Sequence, residues 1–457
     1  MLSNIMRELR QFAAVTRRSL SKWELAGLFI VAFFFIGFAA NVEIRANFLH
    51  RRMTDVEVYF RAAWSARTGH DVYEVTDSNH WHYLYPPTLA VLMAPFAEPP
   101  RGVERVAAIP YPVSVLLWYG ISVLFVLLAI HWLAKALEEA GNKSVEPGSR
   151  RWWGMRIVPL FFSIPVLAHA LVRGQVGPLW LLLLCGMIAA LIRRRHLRAG
   201  LWLAGMICLK LIPAFLLVYP IWKRDWRCLA GCALGLVLFG AAIPAIGLGP
   251  NGMVRTYARY YDILLKPGLS GTVEPGRQRE VIDIRFTDTQ SFSAIYNNVT
   301  HPDLYNRHKE LPAEIPYAAQ LGIKLFAGVM LLCTLLAIGW RKTRWAPGVA
   351  LGIGALTLLM MPLSPVFHPH YMVLLAPALM GLQAAWVDFR RILILGWAHF
   401  AIFIVIAIPQ WSVLRHFGLV LFETLAFWGI VTAVSWKRQK FPMECDEPRP
   451  AATPASN

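Results

Sequence analysis

Long apolar stretches separated by short polar loops make up most of this chain. A helix needs roughly 20 apolar residues to cross the hydrocarbon core of a membrane. The pattern therefore predicts an all-α polytopic membrane protein with about 10–11 transmembrane helices. The segments that reach or approach this length are 24–41, 110–133, 156–172, 176–192, 199–222, 229–248, 317–339, 345–363, 371–387, 392–411 and 414–435.

The composition narrows the class of protein further. Hydrophobic residues make up 57% of the chain and charged residues only 16%, whereas soluble domains are about a quarter charged. The net charge is +18, but the basic residues lie in short clusters between apolar runs, as is typical of membrane orientation rather than of a nucleic-acid-binding face. This excludes a soluble enzyme, a disordered scaffold and a nucleic-acid-binding module. The six cysteines show no spacing of a disulfide or metal framework.

The basic clusters predict the orientation of the chain. Lys and Arg concentrate on the cytoplasmic side of membrane proteins, so segment 1–23, the loop 134–156 and the cluster 193–198 should all be cytoplasmic. The next cluster, 223–227, should be cytoplasmic too, although only the apolar segment 199–222 separates it from the previous one. A simple alternation of spans therefore conflicts with the charge distribution at this point.

Two topologies remain open. In the one we favour, segment 199–222 is a re-entrant hairpin bent near Pro213, because broken segments are tolerated where protein covers the loose backbone. In the other, it is an eleventh full span and one loop breaks the rule. The favoured topology predicts one membrane domain, residues 24–440, with external loops at 42–109 and 249–316. The Pro- and Ala-rich tail 441–457 should be disordered on the cytoplasmic side.

The first external loop contains a candidate catalytic carboxylate. Asp55 and Tyr59 are four residues apart and share one face of a predicted helix. Val56, Phe60 and Trp64 give that helix an apolar stripe, which predicts that it lies in the membrane interface. Held there, the Asp55 carboxylate is a candidate general base. The alternative is a solvated aspartate that caps the start of the helix.

Three ionisable side chains lie within or at the ends of apolar segments. They are Arg173, Lys210 and His370. Such groups are costly in a membrane, by about 2.5–3.5 kcal/mol for a charged residue on insertion scales, and are expected to have partners. They could bind a lipid phosphate. The alternatives are that Lys210 extends toward the cytoplasmic face and that His370 is satisfied inside the helix bundle.

The histidines of the first external loop raise the question of a metal. His70 and the triplet His80–His82 are close in sequence. However, the loop contains neither a carboxylate–histidine spacing typical of zinc sites nor an Asp-x-Asp pair. We predict no metal and no other cofactor.

Four motifs occur in an order that resembles glycosyltransferase family 87, over roughly residues 25–390. The first is an external aspartate followed by a Tyr-rich segment, and the others are a Gly-Gln segment, a segment ending in Lys-x-x-Pro, and a late His-x-His-Tyr. In this chain they are Asp55 with Tyr59 and Tyr83-Leu84-Tyr85-Pro86-Pro87, Arg173-Gly174-Gln175, Ala199-Gly200-Leu201 through Lys210-Leu211-Ile212-Pro213, and Ser364-Pro365 with His368-Pro369-His370-Tyr371.

The resemblance implies a GT-C-type membrane glycosyltransferase. Such enzymes move a sugar from a polyprenyl-phosphate donor, and the family includes polyprenyl-phosphomannose-dependent mannosyltransferases. We therefore expect an inverting, metal-independent hexosyltransferase that transfers a sugar, most simply mannose, to a lipid or glycan acceptor on the external face of the membrane. The bilayer would be its environment, and no nucleic acid is expected.

The resemblance also assigns residues. Sugar transfer to an alcohol requires a base for the acceptor proton and cations for the departing phosphate, and Asp55 would be the base. A Phe precedes the late motif and a Pro separates its histidines, which departs from the family pattern and favours His370 over His368. The residues expected to bind the donor are His370, Lys210, Arg173, Gln175, Tyr59, Tyr85, His368 and Arg52.

Two other classes of function remain open. A transporter or lipid flippase would be expected to show inverted repeats and charged residues spread through the midplane. A ligase acting on lipid pyrophosphate would place arginine and histidine residues in a large late external loop. The loop 249–316 is large enough and contains Arg255, Arg259, Arg307 and His301.

Overall fold

The computed structural model describes residues 21–49, 54–100, 102–103, 109–141, 145–267, 277, 280, 289–302, 315–341, 343, 345–385 and 388–440. The predictions for most of segment 1–23, for the tail 441–457 and for Arg52 fall outside these residues.

Regular structure in the described ranges is helical, apart from an isolated β-bridge between Thr76 and His82. Short 3₁₀ or π-helical turns continue several of the α-helices. The α-helices are α1 (Lys22–Glu43), α2 (Thr54–Thr68), α3 (Pro87–Leu92), α4 (Tyr111–Glu139), α5 (Arg150–Phe162), α6 (Ile164–Arg173), α7 (Gly177–Ile192), α8 (His196–Leu209), α9 (Val218–Trp222), α10 (Trp226–Gly235), α11 (Ile243–Tyr260), α12 (Phe292–Thr300), α13 (Tyr317–Ile338), α14 (Ala346–Leu363), α15 (Ala376–Ala385), α16 (Phe389–Ala407), α17 (Ser412–His416) and α18 (Leu419–Lys440).

The prediction of an all-helical polytopic membrane protein is confirmed. Seven helices in the described part of the chain are long and apolar enough to cross a membrane, and the pair α5 and α6, bent by 60°, forms an eighth if it is counted as one span. The seven are Lys22–Phe48, Tyr111–Glu139, Trp226–Leu265, Tyr317–Ile338, Ala346–Leu363, Phe389–Ala407 and Leu419–Arg438.

Segment 176–192 forms the 16-residue helix α7, nearly as long as predicted. Two other predicted spans, besides the bent pair α5 and α6, are broken helices. Segment 199–222 is interrupted, since α8 ends at Leu209 and a 3₁₀ turn containing Pro213 follows. Segment 371–387 contains a 3₁₀ turn and then the 10-residue helix α15. Proline lacks the N–H that an α-helix needs, so apolar content alone overestimates helix length at these points.

The two ends of segment 199–222 lie side by side. His196, at the start of α8, hydrogen-bonds the Asp225 carboxylate just before α10. Lys223 then donates to the carbonyls of Ile338, Gly339 and Arg341 at 2.7, 2.8 and 2.7 Å. The clusters at 193–198 and 223–227 therefore share one end of the bundle with residue 341. We call it the Asp225 end. This is the arrangement that a re-entrant hairpin requires, and its place in a bilayer stays a prediction.

Helix α4 connects the Asp225 end to the opposite end of the bundle. Its first residue, Tyr111, packs on Phe60 of α2 with ring centroids 6.2 Å apart. Its last residue, Glu139, pairs with Arg193 at 2.7 Å. A 29-residue helix rises about 43 Å. The far end, which holds α2, is called the Asp55 end.

Protein covers the predicted apolar stripe of α2, and the position of this helix relative to a membrane stays a prediction. Phe60, on the predicted apolar stripe, and Tyr59 beside it are both completely buried. The chain after α2 folds back over the helix and supplies polar partners for it, since buried Glu57 accepts from Arg61 at 2.6 Å and from the Ser78 hydroxyl at 2.8 Å. Because these contacts surround the helix, it is an internal element that is held in one orientation.

Candidate active site at the Asp55 end

Asp55 lies in the first turn of α2 and pairs with an arginine from a distant helix. The Nε atom of Arg173, at the end of α6, is 2.9 Å from Asp55 Oδ2. The carboxylate side chain remains 23% exposed and that of Arg173 41% exposed. The carboxylate is thus oriented by a cation and is still accessible to a small molecule.

The turn after Arg173 fits closely against α2. Gly174 ends α6 with a φ of +70°, a conformation that glycine adopts at little cost. A Cβ atom at this position would lie 2.6 Å from Cβ of Val56, and Trp118 Nε1 donates to the Gly174 carbonyl at 2.9 Å. The glycine of the sequence motif therefore allows Arg173 to reach Asp55, the residue next to Val56.

Next to this turn, three polar side chains connect α2 to the Tyr-Pro-Pro segment. The Tyr59 hydroxyl donates to that of Tyr85 at 2.8 Å, and it also lies 3.4 Å from Oε1 of buried Gln175. Burial raises the pKa of the Tyr85 hydroxyl to about 12, so it is a neutral donor and acceptor at physiological pH. The Tyr73 hydroxyl donates to the Tyr85 carbonyl at 3.1 Å and helps to fix this segment.

Lys210 lies at the tip of the hairpin formed by segment 199–222. It follows the last residue of α8 in an extended conformation, about 20 Å along the helix axis from His196. Its ammonium group donates to the Tyr371 hydroxyl. The aromatic rings of Tyr371, Tyr85 and Trp180 have their centroids 4.5, 5.2 and 5.4 Å from Nζ. The alternative in which this side chain extends toward the Asp225 end is therefore wrong.

These side chains border a small cavity. Lys210 uses one of its three N–H groups on Tyr371, and no other hydrogen bond to a described residue engages its amine. His370 is 3% exposed, and neither of its ring nitrogens has a hydrogen-bond partner in the described part of the chain. The lining residues are Tyr85, Gln175, Val176, Gly177, Trp180, Lys210, His370, Tyr371 and Val373.

His368 and His169 stand beside His370. The ring of His370 is stacked on that of His368, with centroids 5.3 Å apart, and on that of His169, with centroids 5.5 Å apart. Burial, and then the charges of Lys210 and Arg173, lower the pKa of His368. This histidine is therefore neutral at physiological pH.

The structure brings together the other predicted site residues, whereas Arg52 lies outside the described residues. His70 and His82 are not part of this group. His70 stacks on Trp64 with centroids 4.9 Å apart, and His82 pairs with Glu280 at 3.0 Å. No group of three His, Cys, Asp or Glu side chains that could hold a metal ion occurs among the described residues.

Arginines of the second predicted external loop contact the first one. Arg259 donates to Glu74 at 2.7 Å, and Arg277 donates to the Tyr73 carbonyl at 2.6 Å. The hydrogen bond from Arg259 lowers the pKa of the Glu74 carboxyl, so this pairing persists at mildly acidic pH. Arg259, which the ligase alternative would use to bind substrate, is thus engaged with Glu74 and Asp71.

Comparison with known proteins identifies the family. The model of glycosyltransferase family 87 matches residues 83–365, well over half of the chain. The chain belongs to glycosyltransferase family 87.

Curated relatives and a solved structure give more distant similarities. The chain is 27% identical over 207 residues to the alpha-(1->3)-arabinofuranosyltransferases of two Mycobacterium tuberculosis strains, CDC 1551 / Oshkosh and H37Rv, and the match covers 44% of this chain and 44% of each relative. The crystal structure of ArnT from Cupriavidus metallidurans bound to undecaprenyl phosphate is 14% identical, with a TM-score of 0.36, over 89% of this chain and 77% of that one.

Sequence reasoning missed three residues at the site. His169 lies within a predicted span, and an ionisable residue in that position was a signal that could have found it. Tyr371 belongs to the late motif, but the sequence assigned it no role. In the structure it is the hydrogen-bond partner of Lys210. Trp180 gave no signal, because a tryptophan in an apolar helix is ordinary.

Proposed function

We propose that this protein transfers a sugar from a polyprenyl-phosphate donor to the hydroxyl of a lipid or glycan acceptor, with inversion and with Asp55 as the base. The observation that carries the proposal is an accessible carboxylate, Asp55, which pairs with Arg173 near a cavity that Lys210 and His370 line. Membership of a glycosyltransferase family supports it.

The chemistry requires each of these groups. As the acceptor oxygen attacks the anomeric carbon, its proton passes to Asp55. The bond between that carbon and the phosphate oxygen breaks, and its electron pair stays on the phosphate. Lys210 has N–H groups left to donate, the Arg173 side chain adds a positive charge and is 41% exposed, and His370 adds its ring nitrogens. These donors would stabilise the charge that develops on the leaving group.

The remaining predicted residues would position the substrates. Gln175, Tyr59 and Tyr85 form a hydrogen-bonded group between Asp55 and Lys210, where the sugar would lie. His368 would support His370 by stacking. Because the basic clusters mark the cytoplasmic side, the Asp55 end would be external, and the lipid donor would enter laterally from the bilayer.

The identity of the sugar has two candidates. The resemblance to mannosyltransferases favours mannose and hence a hexosyltransferase. The similarity to arabinofuranosyltransferases favours a pentofuranose carried on the same kind of lipid. Both donors have the same phosphodiester, so the proposed phosphate site serves either one.

The test is a transfer assay in lipid nanodiscs. Purified protein would be incubated with radiolabelled polyprenyl-phosphomannose or polyprenyl-phosphoarabinofuranose and a bacterial lipid extract. We expect product from one of the two donors and none with Asp55→Asn. Donor that crosses the bilayer of proteoliposomes without sugar transfer would support a flippase instead. Transfer only from a lipid pyrophosphate would support a ligase.

A further inference from the structure

Three histidine rings form a column next to the cavity. His370 is the middle ring, and its plane is within 19° of that of His169 and 17° of that of His368. His169 comes from α6, whereas the other two precede α15, so two distant parts of the chain build the column. The ring of Tyr371 packs edge-on against His370, with centroids 4.9 Å apart. Rings held on three sides in this way have a fixed orientation.

The middle ring is placed to meet a ligand. His370 lines the cavity and is 3% exposed, and both of its nitrogens lack a hydrogen-bond partner in the described part of the chain. A buried polar group without a partner costs roughly 1–3 kcal/mol. Native proteins rarely keep such a group unless a ligand, ion or water satisfies it.

The surroundings keep His370 and His368 neutral. Burial, then the two other histidines, and then Arg173 and Lys210 lower the pKa of His370 well below its ordinary value. Tyr85 and Tyr371 also line the cavity, and the hydroxyl of Tyr85 is neutral at physiological pH because burial raises its pKa. The Asp55 carboxylate pairs with Arg173. A ligand with two negative charges in the cavity would raise the pKa of His370 again, because nearby negative charge favours the protonated imidazole.

We propose that the column of His169, His370 and His368 takes up one proton when a lipid phosphate monoester occupies the cavity. This inference rests on the proposed function. The donor is a phosphodiester with one negative charge. When its bond to the sugar breaks, the phosphate keeps the electron pair and becomes a monoester with a second charge, while the acceptor proton goes to Asp55. His370 then binds a proton from solvent, and the imidazolium offsets the added charge until the lipid phosphate leaves.

His169 acts in this scheme as a positioning residue. It reaches the ligand only through His370, whose ring face it covers. A second imidazole beside the first adds another basic nitrogen on which the proton of the column can reside, and a benzene ring has none. Replacement of His169 by Phe should therefore keep the packing and weaken the proton uptake.

The test is calorimetric titration of the full-length protein in nanodiscs at pH 8, in buffers of different ionisation enthalpy. The ligands are a short-chain polyprenyl phosphate and its methyl ester, which cannot gain the second charge. We expect about one proton taken up per monoester bound by the wild type, and close to none with the ester. His169→Phe should bind the monoester several-fold more weakly with less than half of that uptake. The exposed His301, replaced by Phe, is the matched control and should behave as the wild type.

The results that contradict the proposal are distinct from those that contradict the proposed function. Equal proton uptake in the wild type and in His370→Phe would mean that the phosphate itself binds the proton. That result would contradict the proposed role of the column. Unchanged proton uptake in His169→Phe, with an unchanged unfolding temperature, would mean that His169 only packs against His370. That result would also contradict the proposed column. Binding of the monoester without proton uptake would overturn the column alone. A wild type that binds neither ligand would overturn both the column and the lipid-phosphate donor.

Discussion

The charged groups at the two ends of the helical bundle differ in how many partners they have within the protein. At the Asp225 end, the three N–H groups of Lys223 donate to three backbone carbonyls. Arg156 there makes two hydrogen bonds to Glu138, at 2.7 and 2.9 Å, and stacks on Trp152 at 3.7 Å. Each of these buried cations has partners for its charge within the protein. They tie helices together and leave little capacity for a ligand.

At the Asp55 end, Lys210 and His370 keep hydrogen-bonding capacity beside a cavity. Lys210 hydrogen-bonds the Tyr371 hydroxyl and has further N–H groups beside a cavity. His370 has no hydrogen-bond partner in the described part of the chain, and Arg173 is 41% exposed. Both ends contain costly charges in a membrane protein. The pairing of those charges, more than their presence, distinguishes a site that holds the fold together from a site that binds a substrate.

The largest effect is expected from the carboxylate at the Asp55 end. Asp55→Asn keeps the size of the side chain but cannot accept the acceptor proton, so turnover should fall by about 10²–10⁴-fold with donor binding largely retained. The measurement is kcat with a saturating lipid donor. Asp71→Asn, in the same loop but exposed and paired with Arg259, is the control and should keep most activity. Near-normal turnover by Asp55→Asn would remove the base from the mechanism.

Asp77 is not a suitable control for that experiment. Its carboxylate is buried and accepts hydrogen bonds from the backbone of Asn79 at 2.7 Å and of Trp81 at 2.9 Å. Replacement by Asn would disturb this turn whatever the chemistry requires.

The two lysines test the comparison between the ends directly. Lys210→Met should weaken binding of the lipid donor by about 10–100-fold, since a hydrogen bond to a charged group contributes about 1.5–3 kcal/mol. Lys223→Met, with the same change of side chain, should instead lower the unfolding temperature and leave donor affinity unchanged. Both quantities can be measured on the same nanodisc samples. Equal effects of the two variants on donor affinity would contradict the claim that only the Asp55 end binds the donor.

A smaller loss is expected when the glycine that brings Arg173 to Asp55 is replaced. Gly174→Ala would place a methyl group against Val56 at a positive φ, a conformation that costs about 1–3 kcal/mol for other residues. We expect turnover to fall about tenfold without loss of the folded state. The double variant with Val56→Ala should recover part of the activity, because it relieves the overlap although not the backbone strain. If the double variant recovers no activity, backbone strain at position 174 alone causes the loss.

The last prediction concerns topology, and the cysteine substitutions that test it should leave activity unchanged. Cysteines placed at Arg195 and Trp226, in a background without reactive thiols, should both be shielded from an impermeant reagent added outside the cell, because the ends of the hairpin lie together. Both should react in inverted vesicles. A cysteine at exposed His70, at the opposite end, is the positive control. Labelling at 226 but not at 195 from outside would restore an eleventh full span.

The sequence by itself determined the class of protein and predicted most residues of the candidate site. Apolar length predicted the membrane helices, and the clustering of basic residues predicted which loops share an end. Spacing placed Asp55 and Tyr59 on one face of a helix, and the order of the motifs indicated the family. These features are local or additive, so they can be read along the chain without knowledge of packing.

Only the tertiary structure decided which charges are paired. Asp55 and Arg173 are 118 residues apart, and Lys210 and Tyr371 are 161 apart. Their contacts depend on how α2, α6 and the hairpin pack, which no local pattern specifies. The same reason explains why the sequence did not predict the burial of α2, since the chain after it supplies the cover. Lys210 lies within an apolar segment and Lys223 in the basic cluster that follows it, but neither sequence position indicates whether the amine has partners. The packing of neighbouring helices satisfies one completely and leaves the other open to a ligand.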